Sequence, residues 1–248
     1  MSCIKIAYLY PDILNLHGDR GNIMALERIG HLMGLKVQVD RFDDVHETIP
    51  FESYDMVLMS PGELKVMPII AAELTRQKEA VARFIQDGKF WFVIGTTAAV
   101  FAHHVQRLDG SHFKGLGYGN FDVEEREMVY GDDLIFNCNL AGEKMEIVGN
   151  QIQMIDLITP KLYAENAFGQ LEYGHGNCGI GREGIKEKNL IITNTLGPLF
   201  VKNPWLGEAV FKEILQYKGM DFDIKPLDFT LEKQSNQAII KFNQIKQD

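Results

Sequence analysis

Through its first hundred residues the chain alternates short apolar runs with helical stripes, and few folds accept that rhythm. Ile4 to Leu9 is an apolar run that ends at Pro11. Gly21 to Met33 places Ile23, Met24, Leu26, Ile29, Leu32 and Met33 at helical spacing, opened by Gly-Asn and closed by Gly34. Lys36 to Asp40 alternates like a strand, and Asp55 to Met59 reads as a buried strand stopped by Ser60-Pro61-Gly62. A helix is predicted over Ile69 to Asp87, ended by Gly88. Phe90-Trp91-Phe92-Val93-Ile94 has no polar member, and Thr96 to His103 then opens as a helix. Repeated strand-helix-strand units with short links imply a mostly parallel sheet covered by helices on both faces. Ligands of such sheets sit beyond the carboxyl ends of the strands, so the segments after Leu9, Met59 and Ile94 are where chemistry is expected.

The second half is patterned differently. Gly115 to Ile158 shows short alternating runs with Gly and Asn breaks, among them Val123 to Tyr130 and Leu134 to Asn137, which predict antiparallel strands. Gly169 to Gly181 reads as a glycine-rich loop, Leu190 to Thr193 as a strand and Trp205 to Tyr217 as an amphipathic helix. Beyond Lys225-Pro226, Phe229 to Ile245 is a polar helix with a weak apolar stripe. One domain over residues 1–222 with a C-terminal helical extension over 223–248 is the expected organisation.

At 248 residues and 46% hydrophobic content the chain can bury a full core. Its net charge of −9, with Lys and Arg scattered, argues against nucleic acid or an anionic membrane as a partner. No charged, apolar and cleavable leader opens it, and no apolar stretch reaches the roughly 18 residues of a membrane-spanning helix. Cys3, Cys138 and Cys178 lack metal-ligand spacing and are odd in number, which suits a reducing, cytoplasmic setting. No metal or cofactor is expected.

Several segments together carry a family resemblance. Tyr10-Pro-Asp-Ile-Leu-Asn15-Leu-His-Gly18-Asp19-Arg20-Gly21-Asn22 is rich in short polar groups and glycines suited to tight turns. Gly115-Leu-Gly117, Gly131-Asp132, Gly174-His175-Gly-Asn177, Glu183-Gly184, Lys188-Asn-Leu190, Gly197-Pro198 and Lys202-Asn-Pro204 follow in order, then Pro226-Leu-Asp228 and Leu231-Glu232. This series resembles the CobB/CobQ-type, cobyric-acid-synthase-like class I glutamine amidotransferases, and within them the GatD branch. The resemblance implies a flavodoxin-like three-layer α/β sandwich, mostly parallel with an antiparallel extension. It also implies glutamine hydrolysis that feeds ammonia to a MurT-type, Mur-ligase-like partner acting on the peptidoglycan precursor lipid II.

Such a glutaminase needs a cysteine on a strained strand-to-helix turn, a histidine within reach of it, an oxyanion hole and a cation to fix glutamine. The matching stretches lack them. Relatives read Ile-Cys-Gly-Gly where this chain has Ile94-Gly95-Thr96-Thr97, which puts Gly95 at the nucleophile position. The relatives' Gly-Thr-Tyr-Leu-His-Gly-Pro is Ile192-Thr-Asn-Thr-Leu196-Gly-Pro198 here, which puts Leu196 at the base position. A substrate-contacting arginine three residues before Gly131-Asp132 becomes Met128, with Arg126 two residues away as a shifted replacement on the same strand face. The triple-glycine oxyanion loop becomes Ser60-Pro61-Gly62, where Pro61 has no N–H to donate, although a Pro-Gly pair here also occurs in other class I amidotransferases.

Three readings stay open at this point. The chain is a non-catalytic subunit of an amide-forming complex, heteromeric or homo-oligomeric. Alternatively it is an active amidotransferase with a relocated nucleophile, with Thr96 or a Cys178–His175 pair as candidates. The third is a small-molecule-binding protein whose old glutamine pocket has been enlarged or dried by Gly95 and Leu196.

Overall fold

The computed structural model describes residues 3–220 and 227–247. The chain runs β1 (Cys3–Leu9), α1 (Gly21–Leu32), β2 (Lys36–Phe42), β3 (Met56–Met59), α2 (Met67–Arg76), α3 (Lys78–Gln86) and β4 (Phe90–Ile94). It continues through β5 (Val105–Gln106), β6 (His112–Phe113), β7 (Asp122–Leu140), β8 (Glu143–Ile158), β9 (Gly169–Tyr173), β10 (Arg182–Glu183), β11 (Ile185–Glu187) and β12 (Leu190–Thr193). Helices α4 (Leu199–Lys202), α5 (Pro204–Tyr217) and α6 (Thr230–Gln247) complete it.

The first sheet has the order β11-β12-β4-β3-β1-β2, parallel except where β11 pairs with β12. Both faces of each inner strand are apolar because both are covered. Ile4, Ile6, Phe90, Phe92 and Ile94 face a layer built on Leu26, Ile29, Leu206, Val210 and Phe211 of α1 and α5. Ala7, Leu9, Val57, Trp91 and Val93 face Ile70, Leu74, Val81 and Phe84 of α2 and α3. Alternate residues of one strand therefore feed two separate cores, as a helix-covered parallel sheet requires. The strand order reverses between β1 and β3, and the crevice at their carboxyl ends is where such sheets bind ligands.

Four local expectations change. The helix predicted over Ile69 to Asp87 is two helices, parted at Gln77. The Gln77 side chain accepts the Ile49 N–H at 2.8 Å and donates to the Glu47 carbonyl, so it ties down a neighbouring loop at the break. Thr96 to His103 is a short 3-10 turn over Gly95–Val100 rather than a helix. The short antiparallel runs are two long strands, β7 and β8, in a second sheet of order β10-β9-β7-β5-β6 with β8 paired to β7. The start of the glycine-rich loop, Gly169–Tyr173, is strand β9, which pairs with β7.

The boundary expected near residue 222 lies outside the described residues. Helix α6 is fastened to the rest of the chain by polar side chains at its buried stripe. Asn236 donates to the Lys202 carbonyl, Asn243 donates to Asp133 at 2.9 Å, and Ile240 packs with Ile135 and Val148. Its weak apolar periodicity has this cause: of its buried positions Asn236, Ile240 and Asn243, two are asparagines. No helix among the described residues is long and apolar enough to cross a membrane.

Candidate functional site

The loops after β1, β3, β4 and β12 meet at the carboxyl end of the parallel sheet. Leu16 N–H donates to the Pro61 carbonyl at 3.0 Å, which lays the first loop over the second. Gly62 N–H donates to Thr96 Oγ1 at 3.2 Å, the Thr96 hydroxyl donates back to the Gly62 carbonyl, and Thr97 Oγ1 donates to the Ser60 carbonyl at 2.6 Å. Strand β4 then turns at Gly95 with φ +62°, a conformation that glycine enters without strain.

Gly95 and Leu196, the positions expected for nucleophile and base, face each other. A Cβ built on Gly95 would lie 3.6 Å from Leu196 Cδ2 and 3.1 Å from Pro61 Cβ. Leu196 is buried and pinned to β8 by a two-bond bridge, its N–H to the Asn150 carbonyl at 2.8 Å and the Asn150 N–H to its carbonyl at 3.1 Å. The space in front of Gly95 is thus filled by Pro61 and Leu196 rather than enlarged. On the facing loop Pro61 has no N–H to donate, and that of Gly62 is engaged by Thr96.

Neither alternative nucleophile is activated. The Thr96 hydroxyl, almost fully buried, makes both of its contacts to Gly62 and none to a base. Burial, then the carboxylates of Asp156 and Glu124, push the Cys178 thiol pKa up, which is the wrong direction for a thiolate. His175 Nε2 lies 3.0 Å from Asp156 Oδ1 and 2.9 Å from Arg126 Nη1, and its ring packs at a tilt of 34° against Tyr130.

Arg126 and Met128 do not share a regular strand face. Glu125 pairs with Ile155 and Tyr130 with Gln153, so Arg126, Glu127, Met128 and Val129 bulge out opposite Met154 alone. The bulge turns Arg126 onto Asp156, with Nη1 2.6 Å from both carboxylate oxygens, and leaves Met128 79% exposed. Arg126 serves an ion pair here, and its Nε donates to the Met128 carbonyl at 3.3 Å.

The first-loop residues divide. Asn15 is exposed and Arg20 reaches Asp12 and the Pro11 carbonyl. Asn22 Oδ1 accepts the Phe200 N–H at 2.8 Å, and Gly21 packs so close to Pro198 that a Cβ there would lie 2.6 Å from its Cγ. Gly18 supplies a φ of +72°. Asp19 departs from its expected turn role: its carboxylate is wholly buried and neither oxygen makes a hydrogen bond. Asn177 stitches the glycine-rich loop, donating to the Gly184 carbonyl while its own carbonyl accepts the Leu157 N–H.

Residues that periodicity does not mark complete the site. Glu183, fully buried, accepts Thr193 Oγ1 and the Asn194 N–H, each at 2.7 Å, and so holds the segment that presents Leu196. Glu183→Ala is expected to strand those donors and lower stability by about 1–3 kcal/mol in urea unfolding. Beyond Leu196 an open cleft of about 460 Å³ is walled by His17, Asp132, Asp133, Asn150 and Ile152. Lys202 donates to Asn150, and Asn150 to Asp133, so the cleft wall is linked to α6 through Asn243. Among the described residues no group of three or more His, Cys, Asp or Glu is placed to hold a metal ion.

No family model matches the chain. It is 26% identical over 239 residues to the "Lipid II isoglutaminyl synthase (glutamine-hydrolyzing) subunit GatD" of Staphylococcus aureus (strain N315), a match that spans 96% of this chain and 95% of that one. The subunit of the same name from Streptococcus pneumoniae (strain ATCC BAA-255 / R6) is 26% identical over 237 residues, 93% of this chain and 88% of that one. Among solved structures, the glutaminase domain of Trypanosoma brucei CTPS with bound acivicin superposes with a TM-score of 0.51 at 8% identity, over 90% of this chain and 96% of that one. The resemblance to GatD-type glutamine amidotransferases therefore runs along nearly the whole chain, and the architecture is the flavodoxin-like fold of class I amidotransferases.

Proposed function

We propose that this chain, a GatD-like amidotransferase homologue, has given up glutamine hydrolysis and serves as a non-catalytic subunit of an amide-forming complex. The observation that carries this reading is the apposition of Gly95 and Leu196, with a Cβ-to-side-chain distance of 3.6 Å, at the carboxyl end of β4 and β12. A side chain at the first position would meet a hydrocarbon at the second, where catalysis needs a proton acceptor. Pro61 closes the third side, and Gly62 has its N–H engaged.

The similarity to GatD subunits supports a MurT-type, Mur-ligase-like partner and a role in peptidoglycan precursor amidation. In such a complex the ligase would take ammonia directly. The test is amidation by the co-expressed complex with ammonium chloride or glutamine as the only nitrogen source. Product is expected with ammonium and not with glutamine. Equal rates from the two would sink the proposal, because glutamine would then have been hydrolysed within the complex.

A further inference from the structure

Beside its bulge the β7–β8 hairpin exposes an apolar patch where a water-facing strand surface is ordinarily polar. Around the bulge, Met128 and Val129 are 79% and 55% exposed, and Ile152 and Met154 are 41% and 37% exposed. The bulge throws Met128 and Val129 outward, while Gly131, opposite Ile152, contributes no side chain to cover it. Ile152 also walls the cleft beside Leu196, so the patch is continuous with the mouth of the site. Four large apolar side chains gathered on one exposed segment mark a surface that another molecule covers.

The charge around the patch selects the kind of molecule. From Asp122 to Asp133 the strand carries six acids (Asp122, Glu124, Glu125, Glu127, Asp132 and Asp133) against one base, Arg126, which is spent on Asp156. Among the described residues no salt bridge neutralises Glu124, Glu127 or Asp133. A second copy of this chain would set those acids against themselves, and like charges across an interface oppose association. We propose that this patch docks the ligase subunit of the complex named above, through a partner face that is apolar at its centre and Lys- and Arg-rich at its rim. The proposal rests on the non-catalytic-subunit reading. Methionines at its centre suit a surface that must adapt to its partner, since their side chains repack easily.

The Mur-ligase-like subunit from the same genome, co-expressed with this chain, is the probe. Met128→Glu/Val129→Glu is expected to weaken the isolated complex at least tenfold, because buried charge at an interface centre replaces apolar contact. Glu124→Lys/Glu127→Lys is expected to slow association and flatten its dependence on salt. All four positions are outside the buried core, and unchanged thermal melting of the free variants confirms that folding is intact. If the wild-type complex forms and both variants bind equally well, the docking surface is wrong while the subunit reading stands. If the wild-type chain does not bind the ligase, both fall. If it instead forms a concentration-dependent dimer that Met128→Glu/Val129→Glu disrupts, the occupant is a second copy and the proposal is overturned.

Discussion

Glutamine incubated with the purified chain is expected to release ammonia no faster than glutamine in buffer, and Gly95→Cys is expected to leave that rate unchanged. A thiol placed at Gly95 would point at Leu196 Cδ2 and Pro61 Cβ, neither of which can take its proton. Without a base the thiol stays mostly protonated near neutral pH. The backbone there has φ +62°, so any side chain also carries about 1–2 kcal/mol of left-handed strain. Leu196→His alone supplies a base with nothing to activate. The pair Gly95→Cys/Leu196→His is different, because its members are already apposed, and a positioned base contributes roughly 10²–10⁴-fold. Weak glutaminase activity is expected from the double variant only, with a high KM because Met128 offers no cation to the substrate. Ammonia release by the unaltered chain that disappears in Thr96→Val or Cys178→Ser would show a relocated nucleophile and end this account.

The parallel sheet was legible because its strands announce themselves twice. Phe90 to Ile94 is apolar at every position, and the flanking stripes recur at helical spacing, so burial on two faces follows from pattern alone. Gly95 and Leu196 are singled out by motifs with recognisable neighbours on both sides, but their contact was not legible, since 101 residues separate them and the pairing of β4 with β12 brings the loops together. Register explains the failures around Arg126. Alternation assumes an unbroken strand, and the four-residue bulge at 126–129 abolishes it, so an inference from side-chain period had nothing to stand on. The Gln77 break was hidden because it is made by a side-chain hydrogen bond to a loop 28 residues earlier, and propensity carries no trace of such a bond. Glu183 stands in a motif, yet its work in holding Thr193 and Asn194 appears only once the fold brings the end of β10, in the second sheet, against the end of β12 in the first.

Asp19→Asn is expected to stabilise the protein above neutral pH and to change it little near pH 4. Asp19 is wholly buried and neither carboxylate oxygen has a hydrogen-bond partner; burial raises its pKa from 3.8 to about 7. The Ser60 hydroxyl and Asn22 amide stand near enough to offset burial in part, but neither completes a hydrogen bond. In the unfolded chain the same group titrates near its ordinary value. Between those two values the folded state holds a proton that the unfolded state has released. Stability from this group is therefore fully present below about pH 4, falls as pH rises, and is lost once pH passes about 7. A shift of roughly three units corresponds to about 4 kcal/mol at most, less whatever the loop relaxes. Asparagine keeps the shape and removes the ionisation, so the variant should show no such decline. Urea unfolding at pH 5 and pH 8 reads the difference directly, with a gap between wild type and variant that widens by a few kcal/mol at the higher pH. A gap that stays constant between them would mean that Asp19 is solvated or paired in solution. The position matters to the site because Leu16 ties this same loop to the Pro61 carbonyl. Ionising Asp19 would place a charge beside Ser60, the residue next to the Pro61 that meets Gly95.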